Sequence, residues 1–261
     1  MIMASKQKIR VSLMAGLAAL AVAAGSVAPV AAGSFSPEQR KEIEQIVREW
    51  LLKNPEILND MVAVLEKRQK AQQAQREKAV VAAHAAAFYH SPHDLVIGNP
   101  EGPIAMVEFM DYNCGFCRRS LEDVQKLREA NKDLKIVIKE FPILGPDSME
   151  AAKYALAARK QGMDKYWDLH VALLKHKGRV NGEVALALAR RVGLDVEKLK
   201  KDAESEDVKQ ALQTNLALAD ALGIRGTPAF VIGDKLVPGA LGFERLNREV
   251  AALRKKGCTV C

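Results

Sequence analysis

The chain has 261 residues, 39 Lys+Arg against 32 Asp+Glu for a formal net charge of +7, and 49% hydrophobic residues. That apolar content excludes global disorder, and 17 Gly with 10 Pro in no regular period exclude a collagen-like or low-complexity chain. The basic excess would suit nucleic acid, but Lys6, Lys8 and Arg10 supply part of it from the first ten residues, and aromatic residues at 5% leave few rings to stack on bases. No nucleic-acid partner is expected.

Residues 1–32 contain no acid. After Lys6, Lys8 and Arg10 comes the apolar stretch Val11–Ala24, interrupted by Ser12, and then small residues through Ala32. A charged start, a short apolar core and a small-residue zone make a secretory signal, with cleavage expected after Ala32. The strongly apolar part is shorter than the ~20 residues that span a bilayer comfortably. The expected mature protein is therefore exported, without a membrane span, into an oxidising compartment where disulfides persist. The periplasm is the expected location.

Residues 33–66 read as two short amphipathic helices. Ser36 is placed as N-cap, Pro37 at the first helical position and Gln39 as the reciprocal partner of a capping box. Ile43, Ile46, Val47, Trp50 and Leu51 follow at helical spacing. Asn54-Pro55 breaks the pattern, with Asn54 expected to cap a second helix that carries Ile57, Leu58, Met61, Val62 and Leu65. So small a unit cannot bury both faces by itself. Self-association is expected, against simple packing on the main domain. Residues 67–89 are rich in Ala, Gln, Lys and Arg and contain no Gly or Pro, as suits a semi-rigid helical linker or a plain surface helix.

The main domain is expected over residues 90–257. Leu95–Ile97 reads as a short strand and Ile104–Met110 as a buried, nearly continuous apolar strand. A helix from Cys114 through Leu121, Val124 and Leu127 leads to a strand at Leu134–Ile138, a β-α-β unit. Residues 147–222 are helical in pattern. Ala229–Ile232 and Lys235–Val237, joined by Gly233-Asp234, read as a hairpin, and a last helix runs from Gly242 to about Lys255. The tail, 258–261, carries a second pair of cysteines.

The four cysteines form two C-x-x-C pairs, Cys114/Cys117 and Cys258/Cys261. The first follows a buried strand and opens a helix, where unpaired N–H groups and the helix dipole favour a negative charge. Cys114 is thus expected as a thiolate nucleophile and Cys117 as the resolving thiol of a dithiol–disulfide couple. A zinc ribbon would need a second pair about 15–20 residues away, and none is there. Gly226-Thr227-Pro228 immediately precedes a strand. A cis Thr227–Pro228 bond would expose the Thr227 backbone to a bound peptide, which could pair with it like an added strand; an ordinary trans proline at a strand start is the alternative.

The run Val107-Glu108-Phe109-Met110-Asp111-Tyr112-Asn113-Cys114-Gly115-Phe116-Cys117, with Thr227-Pro228, resembles the active site of thioredoxin-fold DsbA-family oxidoreductases, and the intervening helices resemble that family's helical insertion. Residues 36–66 resemble the N-terminal oligomerisation region of ScsC-type proteins, the suppressors of copper sensitivity. The resemblance implies an α/β thioredoxin fold with a DsbA-like helical insertion behind an N-terminal helical region. It implies Cys114 and Cys117 as catalytic thiols, Gly115, Phe116, Thr227 and Pro228 as substrate contacts, and Glu108 as the buried acid that relays protons to Cys117. Lys139, on the neighbouring strand, is a candidate partner of Glu108. The implied activity is disulfide isomerisation or reduction on secreted proteins by a homo-oligomer, a trimer by resemblance, re-reduced by a membrane reductase of the DsbD or ScsB kind, without a cofactor. A DsbA-style oxidase and a copper-binding protein are the alternatives. Gly115-Phe116 departs from the Pro-His pair of strongly oxidising members, so a less oxidising couple is expected.

The remaining features are expected to be structural. Cys258/Cys261 reads as a small disulfide or solvated appendage, or else as an accessory redox or copper(I) pair. His84, His90, His93, His170 and His176 show no metal-ligand spacing, so no metal is expected. Met106, Met110 and Met149 read as core, and Glu204–Asp207 as a solvated helix start. Arg118 and Arg119 read as aids to the Cys114 thiolate or as solvated charges.

Overall fold

The structure, a computed structural model, describes residues 35–261. The expected export segment at 1–32 lies outside the described residues. Chain contacts separate a unit ending at Asp60 from a second unit, Met61–Cys261.

Helix α1 (Pro37–Lys53) starts on the predicted capping box: Gln39 N donates to Ser36 Oγ at 3.2 Å, and Ser36 N donates to Gln39 Oε1 at 2.9 Å. Its other end corrects one expectation. Asn54 closes α1 instead of opening the next helix, because its backbone N–H and its Nδ2 both donate to the Trp50 carbonyl, at 2.9 and 2.8 Å. The carbonyls of a last helical turn lack intrahelical partners and compete for such donors. Helix α2 (Ile57–Ala83) then runs 27 residues, straight through the expected boundary at Lys67, and the short α3 (Ala85–Tyr89) follows. No residue of α1 is buried, and Val81 alone is buried in α2.

The second unit holds a five-stranded sheet of β1 (Leu95–Gly98), β2 (Ile104–Met110), β3 (Leu134–Glu140), β4 (Ala229–Ile232) and β5 (Lys235–Pro238), in the order β1-β3-β2-β4-β5. β2 and β3 are parallel; every other pair is antiparallel. Helix α4 (Gly115–Ala130) makes the predicted β-α-β connection between β2 and β3. All seven residues of both strands are buried; β2 accordingly reads as an almost unbroken apolar run, whereas β3 also buries Lys135, Lys139 and Glu140 and extends two residues beyond the expected end at Ile138. Between β3 and β4 stand α5 (Pro146–Ala158), a 3-10 turn (Arg159–Gln161), α6 (Met163–Lys175), α7 (Gly182–Arg191), α8 (Val196–Ala203) and α9 (Glu206–Ala221); α10 (Phe243–Lys256) follows the hairpin. The hairpin turn needs its glycine: Gly233 has φ +57, and a Cβ there would lie 2.6 Å from Leu253 Cδ1.

One apolar cluster joins Met106, Met110, Ile136 and Ile138 to α4, α10 and the inserted helices. The other gathers Ala105, Val107, Phe109 and Val137 with Val81, Phe88, Tyr89, Leu218 and Leu222. The packed core therefore reaches back to Val81, ahead of the expected domain start at His90. The run Glu204–Asp207 starts α9 as expected, with Glu204 and Glu206 exposed, and two of its carboxylates also reach α5 and the turn after it. Asp207 accepts from Arg159 at 2.7 Å and Lys160 at 2.8 Å, and Glu204 accepts from Lys153 at 3.0 Å, which ties the ends of α8 and α9 to the α5 region.

Candidate active site

β2 ends at Met110, and four residues later the chain turns into α4 with Cys114 as N-cap. Cys114 and Cys117 are both free thiols, each largely covered. Hydrogen bonding from the Cys117 thiol is the main force holding the Cys114 thiol down to about 5, and Thr227 and the backbone N–H groups of Cys117 and Phe116 add to it against the cost of burial. These amides are the unpaired donors of a first helical turn, so the sulfur carries its charge where the helix supplies stabilisation. Cys117 is pushed the other way, far above the ordinary thiol range, by burial, by its neighbour Cys114 and by Glu108. At neutral pH the pair is one thiolate beside one retained proton.

The Thr227–Pro228 bond is cis. It brings the Thr227 carbonyl 3.1 Å from Cys114 Sγ, to which the protonated thiol donates. An open groove of about 480 Å³ runs from Phe116 past Ile224, Arg225, Thr227 and Pro228 to Leu236 and Pro238. Phe116 is 56% exposed at its edge, with the Arg119 guanidinium 4.4 Å over its ring. The groove is lined mainly by apolar residues, and Thr227, whose carbonyl meets Cys114 Sγ, stands on its wall.

Glu108 lies inside β2, 5% exposed, and burial raises its carboxyl to about 8, with the charges of Cys114 and Asp123 adding. The pairing with Lys139 is corrected. In the β2–β3 register Glu108 faces Ile138, while Lys139 faces Phe109, so the two side chains leave opposite faces of the sheet. Lys139 is fully buried against Asp94 and donates to Asn215 Oδ1 at 3.2 Å, and Asp94 and Asn215 hold it away from the thiols.

Residues 105–251 match the DSBA-like thioredoxin domain family, more than half of the chain. The chain belongs to the DsbA-like thioredoxin family. Residues 39–72 match the copper resistance protein ScsC N-terminal domain. Among solved structures, a thioredoxin-like oxidoreductase from Silicibacter pomeroyi is 44% identical with a TM-score of 0.63, over 65% of this chain and 97% of that one. Proteus mirabilis ScsC in a transitional conformation is 30% identical with a TM-score of 0.63, over 85% of this chain and 98% of that one. Among curated proteins, the Na(+)/H(+) antiporter NhaA 1 of Salinispora arenicola is 27% identical over 161 residues, 61% of this chain and 24% of the relative. The chain thus spans about a quarter of the length of the first curated relatives it matches.

Two further features complete this DsbA-like domain. Cys258 and Cys261 form a disulfide, and the tail packs on both apolar clusters instead of lying in solvent. Cys261 Sγ accepts from Ala105 N at 3.1 Å, at the beginning of β2, whereas the thiols stand beyond its end. Sequence reasoning gave no role to Asp111, Asn113 and Ser148, which hold the turn before Cys114. Arg118, read as an aid to the thiolate or as a solvated charge, donates instead from Nε to the Tyr112 carbonyl at 3.1 Å and from its terminal nitrogen to the Gly178 carbonyl at 2.6 Å. The one available signal was the concentration of polar side chains, Asp111 and Asn113, between a buried strand and a helix start. Among the described residues no cluster of three or more His, Cys, Asp or Glu side chains is placed to hold a metal ion, and no helix is long and apolar enough to cross a membrane.

Proposed function

We propose that this protein is an exported thiol–disulfide oxidoreductase that acts as a disulfide isomerase or reductase in the periplasm. The observation that carries the reading is the asymmetry of the pair: a Cys114 thiol held down to about 5 beside a Cys117 thiol that keeps its proton. The Cys114 thiolate attacks one sulfur of a substrate disulfide, forming a mixed disulfide and releasing the other substrate sulfur as a thiolate. In isomerisation that released thiolate, or another on the substrate, attacks the mixed disulfide, and Cys114 leaves unchanged, with no net electron transfer. In reduction Cys117 gives up its proton, attacks Cys114 and releases a second substrate thiolate. Two electrons then reside in the substrate, and the Cys114–Cys117 disulfide needs a reductant.

The Cys114 charge is one cause that raises Glu108 to about 8, so once that charge is spent in the mixed disulfide the carboxyl ionises more readily, and the carboxylate then takes the Cys117 proton at that step. Phe116, Thr227 and Pro228 form the binding edge, with Gly115 leaving the approach to Cys114 open. Gly115-Phe116 offers no histidine to stabilise the thiolate further, which supports a couple less oxidising than that of a dedicated oxidase. A membrane reductase of the DsbD or ScsB type fits the need for electrons, and the charged and apolar signals at 1–32 support export. The exposed apolar residues of α1 and early α2, with the match of 39–72 to the ScsC N-terminal domain, support assembly of copies of this chain, a trimer by resemblance. Refolding of scrambled ribonuclease by the mature protein tests the reading. Recovery of native enzyme that is lost in Cys114→Ser is expected. Fast oxidation of reduced substrate without isomerisation would replace it with an oxidase.

A further inference from the structure

The turn that presents Cys114 is not held by the sheet or by α4 alone. Asp111 accepts at Oδ1 from Asn113 N at 2.8 Å and from Ser148 Oγ at 2.7 Å, and at Oδ2 from Leu144 N at 3.0 Å. Its carbonyl accepts from Cys114 N at 3.0 Å. Its own backbone N–H faces the Cys117 sulfur. One residue therefore touches the backbone of the first cysteine and the sulfur of the second, while its carboxylate is fixed by three donors, two of them from the segment that opens the helical insertion.

Asn113 completes the arrangement. Its Oδ1 accepts from Val180 N at 2.8 Å, its Nδ2 donates to Val180 O at 2.9 Å, and the same Nδ2 donates to Ser148 Oγ at 3.0 Å. This is a two-pronged pairing of a side-chain amide with the backbone N–H and C=O of one residue of the insertion. Ser148 uses its hydroxyl in both directions, donating to Asp111 and accepting from Asn113. Asp111 and Ser148 are each 1% exposed, so water does not substitute readily for a lost partner.

We propose that Asp111, Ser148 and Asn113 form a positioning clamp through which the helical insertion fixes the turn that carries Cys114 and backs Cys117. The inference rests on the redox reading of the pair. The insertion then has a role in the chemistry besides shaping the surface: it keeps the Cys114 sulfur aligned with the N–H groups of the first turn of α4. None of the three residues reacts; each acts through the backbone of the turn.

The test uses the full mature protein with Ser148→Ala, Ser148→Thr, Asp111→Asn and Asn113→Ala. Three quantities are read: the pH dependence of Cys114 alkylation, the equilibrium with reduced and oxidised glutathione, and the thermal midpoint. Loss of the clamp lets the sulfur drift from its donors, so the reduced form is less stabilised. In Ser148→Ala and Asn113→Ala the alkylation midpoint is expected to rise, and the glutathione equilibrium to move toward the protein disulfide by roughly threefold to tenfold, the size of one net hydrogen bond. Ser148→Thr, which keeps the hydroxyl, restores both to within about twofold. Asp111→Asn turns one acceptor into a donor facing N–H groups and is expected to shift both further; if it fails to fold, the two Ser148 variants and Asn113→Ala decide. A lowered thermal midpoint with an unchanged alkylation midpoint and an unchanged glutathione equilibrium would overturn the proposal, leaving a structural contact only. An unmodified protein whose Cys114 titrates like a free thiol would instead remove the redox reading beneath it.

Discussion

Glu108 and Cys114 put opposite slopes on the pH dependence of stability. The carboxyl ionises near 4.5 in an unfolded chain and near 8 in the folded one, because it is buried close to Cys114 and Asp123. Between those values the folded state holds the extra proton, so this contribution is most favourable below about 4.5 and is lost as pH rises to about 8. The Cys114 thiol falls from about 9 to about 5, so across that interval the unfolded chain holds the extra proton and stability grows with pH. In the reduced protein the two largely oppose each other; oxidation of the pair removes the thiol contribution. Oxidation also removes the Cys114 charge that helps to raise the Glu108 carboxyl, so the oxidised protein should lose stability as pH rises above about 4.5, over an interval that ends short of about 8, by at most about 1.4 kcal/mol per pH unit for the one carboxyl. Oxidised Glu108→Gln should lose less. Equal slopes for parent and variant in thermal melts would show that the carboxyl is not held protonated. The same substitution should slow the Cys117 step, read as decay of the mixed disulfide, on the order of 10²-fold near neutral pH.

At the scale of elements, the N-terminal helices carry the clearest unfinished packing. Ile46, Trp50, Leu58 and Met61 are each at least half exposed, although they follow a helical apolar pattern. Burying each such side chain against another copy contributes about 1.5–3 kcal/mol. Replacing Trp50 and Leu58 together by Glu should shift the mature protein to the monomer mass in light scattering, with scrambled-ribonuclease refolding lost and insulin reduction kept. An oligomer of unchanged mass would remove self-association through this region. The same helices show what a sequence pattern conveys. The capping box at Ser36 was legible because it is local, three residues reaching one another within a turn. The end of α1 was not, because Asn54 can cap either neighbour and the choice depends on which backbone groups stand unpaired nearby. Likewise β2, α4 and β3 were readable from apolar runs and a cysteine at a helix start. The partner of Glu108 was not readable, because a one-residue difference in register sends Lys139 to the other face. The clamp at Asp111 joins residues 111, 113, 148 and 180, a grouping that appears only once the insertion has folded back on the turn.

At the scale of the whole domain, the two C-x-x-C pairs belong to opposite ends of one strand. β2 runs from Ile104 to Met110, and at about 3.3 Å per residue its seven residues separate the ends by roughly 20 Å. The tail disulfide meets β2 at Ala105, and the turn that carries Cys114 begins after Met110. Thiol–disulfide exchange needs sulfur-to-sulfur contact, so within one domain the tail pair cannot pass electrons to Cys114 or Cys117. Its position fits a staple. Cys261 gives the Ala105 N–H an acceptor at the start of the central strand, and both cysteines extend the apolar packing of the clusters. The Cys258→Ser/Cys261→Ser protein should therefore retain insulin reduction and glutathione exchange within about twofold of the parent. It should lose stability instead, by about 2 kcal/mol if the chain-entropy cost of so short a loop is recovered in full. Calorimetry under oxidising conditions measures that loss. A thermal midpoint equal to that of the parent, with exchange slowed tenfold or more, would mean that the tail sulfurs reach the catalytic pair by a route between copies and act as a relay.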